Sequence, residues 1–95
     1  MARKVSTLGD ILHAFLREEG LETPLNEHRI IQAWPEVMGQ AITRYTGQID
    51  VRGGVMYIQI KSPALKNDLM MGRTQLVQRL NQHIGAQVIT GITFY

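Results

Sequence analysis

Leu8, Ile11, Leu12, Phe15 and Leu16 recur at i, i+3, i+4, i+7 and i+8, the apolar stripe of an amphipathic helix. Thr7 is placed to cap its start, with Asp10 three residues on, and Gly20 to stop it. Thr23-Pro24 opens a second helical region, threonine as cap and proline in the first turn. Its apolar positions are Ile30, Trp34, Val37, Met38, Ala41, Ile42 and Tyr45. Pro35 lacks an N–H and restricts Trp34, so a break or kink is expected there. After Gly47 the period changes to two. Ile49 and Val51 alternate with polar residues, Gly53-Gly54 supplies a two-residue turn, and Met56, Ile58 and Ile60 alternate again. The pattern is a β-hairpin with one buried face. Ser62-Pro63 then caps a long helix to about His83, with Leu65, Leu69, Leu76, Leu80 and Ile84 on one stripe and Gly85 after it. Residues 88–95 form a last strand.

The order α, α (broken), β, β, α, β describes an α+β fold, a three-stranded sheet with helices packed on one face and the other face partly open. Trp34, Val37, Leu69 and Leu80 are its expected core. Residues 1–7 are expected to be a flexible segment before a single domain, residues 8–95. Of the 95 residues 44% are apolar and 19% charged, which suits a folded chain and not a disordered one. There is no cysteine, hence no disulfide, thiol nucleophile or zinc–thiolate site, in keeping with a reducing cytoplasm. No apolar run approaches the length of a membrane span. The basic pair Arg3-Lys4 has no apolar stretch behind it, so the start does not read as a signal peptide.

Catalytic chemistry finds no constellation. His13, His28 and His83 are far apart, and none has a second ligand three or four residues on, so no metal or cofactor is expected. Ser6, Thr7 and Ser62 read as helix caps. Glu18, Glu19 and Glu22 lie among polar residues at a helix end, without the apolar pocket that would tune a general acid. Four of the five methionines, Met38, Met56, Met70 and Met71, read as core filling or as a Met-rich surface. Gly72, inside the long helix, has two readings: close packing against a neighbour, or approach to a phosphate.

Charge divides along the chain. From Asp10 to Glu36 six acids face Arg17 and Arg29, a balance of −4; from Arg52 to Tyr95 five bases face Asp68 alone, a balance of +4. Either the basic half presents a face to an anion or the charges are ordinary surface scatter. In the hairpin, Arg52, Tyr57, Gln59 and Lys61 fall opposite the buried face. Lys66 and Arg73, seven apart, share one side of the long helix. With Arg79, they make the candidate nucleic-acid contacts Arg52, Tyr57, Lys61, Lys66, Arg73 and Arg79. The cations would hold phosphates and Tyr57 would stack a base. Tyr57 pairing across the sheet with a residue such as Tyr95 is the alternative.

Gln32-Ala33-Trp34-Pro35-Glu36-Val37-Met38-Gly39-Gln40-Ala41-Ile42 resembles the tryptophan–valine–glycine signature of DciA-like proteins. The hairpin Arg52-Gly53-Gly54-Val55-Met56-Tyr57-Ile58, the segment Ser62-Pro63-Ala64-Leu65-Lys66-Asn67-Asp68-Leu69, then Leu76-Val77-Gln78-Arg79-Leu80-Asn81 and residues 88–94 follow in the family's order. The resemblance covers residues 8–95. It implies a KH-like fold, a cytoplasmic place, binding of single-stranded or junction DNA, and contact with a DnaB-type replicative helicase as loader or operator. Gly72-Arg73-Thr74-Gln75 has the first glycine of the KH clamp loop GxxG and not the second. Longer members carry further flexible sequence that engages the helicase. Here that contact falls to the folded surface, with Glu18, Glu19, Glu22 and Glu27 as candidates, leaving the basic half for DNA. The competing reading is a protein–protein module that touches no nucleic acid. On either reading the chain is not an enzyme.

Overall fold

In the computed structural model, residues 10–12 and 22–95 are described. Asp10, Ile11 and Leu12 are helical, with Ile11 and Leu12 exposed. The stripe positions Leu8, Phe15 and Leu16, the cap Thr7 and the stop Gly20 lie outside the described residues.

Helix α1 spans Glu22–Met38 and a single turn, α2, spans Gln40–Thr43. Strand β1 is Thr46–Arg52 and β2 is Val55–Ile60. Helices α3, Pro63–Met71, and α4, Arg73–Ile84, lead to strand β3, Gly91–Phe94. The sheet order is β1-β2-β3, with β1 antiparallel and β3 parallel to β2. The helices contact one another and the inner face of the sheet, as the element order predicts.

Four local expectations change. Thr23 lies within α1, already helical at Glu22, so it is not the cap; Pro24 still falls in the first turn, where its missing N–H costs nothing. Pro35 does not break α1, which continues to Met38. The break comes four residues later, where the Gly39 N–H donates to the Pro35 carbonyl at 2.9 Å and Gly39 adopts φ 83°. That left-handed conformation favours glycine and turns the chain into α2. Tyr45, placed by periodicity on the apolar stripe, sits past α2 in the turn before β1 and is exposed.

The helix expected to run from Pro63 to His83 is two helices. Ser62 caps α3, its Oγ accepting from the Leu65 N–H, but α3 ends at Met71. At Gly72 the N–H bonds to Leu69, one residue short of an α-helical partner, and the Leu76 N–H bonds back to Gly72 to start α4. Nothing lies within 4 Å of where a Gly72 side chain would begin, so close packing is not the reason for this glycine. The last strand is also shorter than expected, beginning at Gly91. The N–H groups of Val88 and Ile89 are taken by the Asn81 side chain instead of the sheet.

The hairpin matches its spacing. Arg52 pairs with Val55 across Gly53 and Gly54, at φ 58° and 80°. Val51, Met56, Ile58, Ile60, Ile92 and Phe94 are buried on the inner face, against Ile30, Ala33 and Trp34 of α1 and Leu69, Leu76 and Leu80 of α3 and α4. Val37 is partly buried at the edge of this core. Met56 lies wholly inside and Met38 packs against the core, whereas Met70 and Met71 are exposed, so the methionines form neither one surface nor one filling.

Trp34 is fully buried. Its Nε1–H donates to Thr46 Oγ1 at 3.0 Å, and that hydroxyl donates to the Ile42 carbonyl at 3.0 Å. The indole packs on Phe94 with ring centroids 6.1 Å apart, tilted at 52°. One side chain thus joins α1, the end of α2, the start of β1 and β3. Trp34→Ala is expected to cost about 3–5 kcal/mol in urea unfolding, through the lost indole and the cavity it leaves. A loss below about 1 kcal/mol would contradict this account of the core.

Candidate nucleic-acid interface

α1 and α4 pack together, and an arginine of each reaches the C-terminal end of the other. Arg29 of α1 donates to the Ile84 carbonyl in the last turn of α4 at 3.1 Å. Arg79 of α4 donates to the Val37 carbonyl in the last turn of α1 at 3.3 Å. Each arginine meets carbonyls that have no partner within their own helix, at the negative end of the helix dipole. His83 Nε2 and Glu36 Oε1 meet in the same seam, 2.9 Å apart.

The outer side of α4 forms one wall of an open groove of about 760 Å³. The opposite wall is β3, from Gly91 to Thr93, together with Gln87, Thr90 and Val55. Arg73 and Thr74 stand at the end where α4 begins, followed along the helix by Val77, Gln78, Asn81 and Gln82. Amides and hydroxyls dominate this lining, Arg73 supplies its one charge, and no acid takes part. The alternation of the parallel ladder explains what β3 offers. Tyr95 bonds to Ile58 and Ile60 of β2, so Ile92 and Phe94 turn their backbone groups to the free edge.

Asn81 holds the groove's loop wall. Its Oδ1 accepts from Val88 N–H at 2.9 Å and Ile89 N–H at 3.1 Å, while its Nδ2 donates to the Ile89 carbonyl at 2.8 Å. Gly85 closes α4 in the left-handed region, and its N–H and that of Ala86 bond to the Asn81 carbonyl. Thr90 N–H then bonds to Gly54 at 2.7 Å, fastening the loop to the hairpin turn.

Of the six candidate nucleic-acid contacts, Arg73 alone lines this groove. Arg52 and Tyr57 come together on the open face of the sheet, the guanidinium 4.7 Å from the ring centroid. Arg52 also pairs with Asp50 at 3.2 Å, so its charge is compensated and one face of Tyr57 is covered. Tyr57 stands opposite Asp50 and Thr93, not Tyr95. Lys61 lies beyond the far end of β2 from Arg52, about 20 Å along the strand. Lys66 and Arg73 belong to different helices because of the break at Gly72. Arg79 is turned into the seam with α1. Of the acidic candidates, Glu27 is partly buried on α1 and Glu22 opens that helix; Glu18 and Glu19 lie outside the described residues. No group of three metal-ligating side chains is present among the described residues, and no described helix is long and apolar enough to cross a membrane.

The arrangement α, α, β, β, α, α, β, with two parallel strands and an interrupted helix pair beside the edge strand, carries the KH-like character implied by the sequence signature. The family described as Dna[CI] antecedent, DciA, matches residues 7–94. The chain belongs to the DciA family. Similar proteins include a UPF0232 protein of Streptomyces avermitilis, 29% identical over 85 residues, covering 87% of this chain and 47% of the relative. A UPF0232 protein of Mycolicibacterium paratuberculosis is 25% identical over 91 residues, covering 96% of this chain and 50% of that protein. The chain therefore spans about half the length of these DciA-like relatives.

Sequence reading missed Thr74, Gln78, Gln82, Gln87 and Thr93 because uncharged polar residues give no signal without the fold that gathers them. Asn81 had one usable cue, four residues before a terminal glycine, where a short amide can reach the returning chain. Asn81→Ala is expected to cost about 1–3 kcal/mol by leaving the Val88 and Ile89 groups unpaired. Amide exchange at Val88 and Ile89 should accelerate more than at the core strands. Unchanged protection there would contradict the assigned role.

Proposed function

We propose that this DciA-family chain is a non-enzymatic adaptor that binds single-stranded or junction DNA and acts with a DnaB-type replicative helicase in DNA replication, in the cytoplasm. The observation that carries the DNA reading is the groove between α4 and the free edge of β3. It has hydrogen-bonding side chains on both walls, a cation at the start of α4, and no acid. Such a lining suits the exposed edges of unstacked bases, with a phosphate near Arg73. Amide side chains can donate and accept at once, as base edges require. The incomplete clamp sequence places Arg73 and Thr74 where a second glycine is not needed for turning the chain, since α4 is already under way.

The helicase part rests on family membership and on the charge division. Basic residues serve the DNA, leaving the acidic positions Glu18, Glu19, Glu22 and Glu27 as the proposed helicase surface. Charges at the rim of an interface govern association rate more than affinity.

Fluorescence anisotropy with a labelled single strand, titrated in salt, tests the DNA reading. Log affinity should fall with log salt by about 0.7 per phosphate contacted, and Arg73→Gln should remove about one such contact. Gln78→Ala should weaken binding by about 1 kcal/mol or more and leave the slope unchanged, because a base edge carries no counterion. Absence of binding at low salt would overturn the DNA reading in favour of a protein–protein module.

Replacing Glu18, Glu19 and Glu22 together by lysine should slow association with purified DnaB-type helicase. It should leave DNA binding equal or tighter, because positive charge is gained. Failure of the parent chain to bind helicase would overturn the helicase role; normal binding by the triple variant would overturn the choice of surface.

A further inference from the structure

Three chain segments converge where β2 ends. The Ile60 N–H donates to the Tyr95 carbonyl and the Lys61 N–H to the Tyr45 carbonyl, each at 2.8 Å. The last residue of β2 and the one after it are thereby gripped from opposite sides, which sets the two tyrosine backbones about 10 Å apart across the sheet. Both tyrosine side chains face solvent, Tyr45 at 45% and Tyr95 at 49% exposure. Arg44 and Lys61 are exposed beside them. Residues 37–49 and 59–67, which supply this end of the molecule together with Tyr95, contain Arg44, Lys61 and Lys66 and no acidic side chain. None of these three cations enters an ion pair.

The contrast with Tyr57 is instructive. That ring is covered by Arg52, whose charge Asp50 compensates, so the middle of the open face is satisfied from within. At the end of β2 the rings are half-exposed and the cations make no ion pair. Of the other exposed large apolar side chains among the described residues, Leu25 belongs to α1, Met70 and Met71 to the end of α3, and Ile11 and Leu12 to helical residues 10–12. A protein interface of comparable aromatic content would be expected to add aliphatic anchors. Two half-exposed aromatic rings on either side of the strand end, among cations that make no ion pair, suit an unpaired nucleic-acid strand, whose bases stack and whose phosphates are drawn to the charges.

We infer that Tyr45 and Tyr95 form a second contact for single-stranded nucleic acid, with Arg44 and Lys61 holding its phosphates. This rests on the DNA reading of the groove and extends it. The groove reaches Val55 and Thr90 beside the hairpin turn, whereas the tyrosine patch lies at the other end of β2. The Val55 end of the groove is about 17 Å from the patch along that strand, whereas its Thr93 end stops two residues, or about 7 Å, short of Tyr95. A strand long enough to occupy both gains the second contact as an intramolecular event. A strand that fills the groove alone does not.

The test compares oligothymidylates of roughly 4 nucleotides, the number a KH groove clamps, and roughly 16 nucleotides. The parent and the variants Tyr45→Ala/Tyr95→Ala and Tyr45→Phe/Tyr95→Phe are measured by anisotropy, with circular dichroism melting to establish that each is folded. The parent should bind the long strand more tightly than the short one. The double alanine variant should lose about tenfold or more on the long strand and bind the short strand as the parent does. The double phenylalanine variant should behave as the parent, because stacking needs the ring and not the hydroxyl. Unchanged long-strand binding by the alanine variant would overturn the inference and leave the groove reading intact. So would a variant that binds DNA normally and has lost helicase, since the patch would then be a protein contact. A parent that binds neither strand overturns the groove reading and this extension with it.

Discussion

The buried indole of Trp34 sets the terms for the rest of the molecule. A tryptophan with no solvent contact must find an acceptor for its N–H, and here the acceptor is Thr46, the first residue of β1. Thr46 in turn satisfies Ile42 at the end of α2, so the passage from helix to sheet is fixed by two hydrogen bonds in series. Alternation alone, counted from Thr46, would put Gln48 and Asp50 in the core; it is the extra residue of a bulge that brings Ile49 and Val51 there instead. The bulge lies between Thr46 and Ile49, and it is covered by Gln59, whose Oε1 accepts from the Gln48 N–H. A side chain at Gly47 would collide with that amide. Phe94, packed on the indole from β3, carries the same constraint to the far edge of the sheet.

With the sheet set, the charged residues divide by what they touch. Arg29 and Arg79 are structural: each bonds a carbonyl in the last turn of the other's helix and holds α1 against α4. Arg52 is engaged with Asp50 and Tyr57. Arg44, Lys61, Lys66 and Arg73 make no ion pair, and Arg73 alone of these stands in the groove. An overall positive balance in the second half of the chain thus resolves into a few free cations at separate places. This gives DNA two modest contacts in the proposed account, not one broad basic face.

Much of the fold was legible because it depends on periodicity and turn chemistry. The hairpin, the Ser62 cap and the burial of Trp34, Leu69 and Leu80 follow from local pattern and a single apolar side. The misplacements share a cause: an interaction from elsewhere in the chain outweighed local preference. Pro35 stays helical because Trp34 beside it is locked in the core, so the break moves to Gly39. Val88 and Ile89 look like strand and are held as loop by Asn81. Gly72 was legible as unusual but not as the junction of two helices. Of the candidate site, Arg73 was legible because charge is visible in sequence. The neutral amides of the groove and the exposed Tyr45 were not, since only the tertiary arrangement separates them from ordinary surface and core positions.

The central claim is that DNA lies between α4 and β3. Backbone amide shifts mapped by NMR during titration with a single-stranded oligonucleotide test it most directly. The account predicts perturbations concentrated at Gly72 to Gln82 and at Thr90 to Thr93, with the exposed side of α1 unaffected. Perturbations confined to α1, or to the Arg52–Tyr57 region with the groove silent, would contradict it.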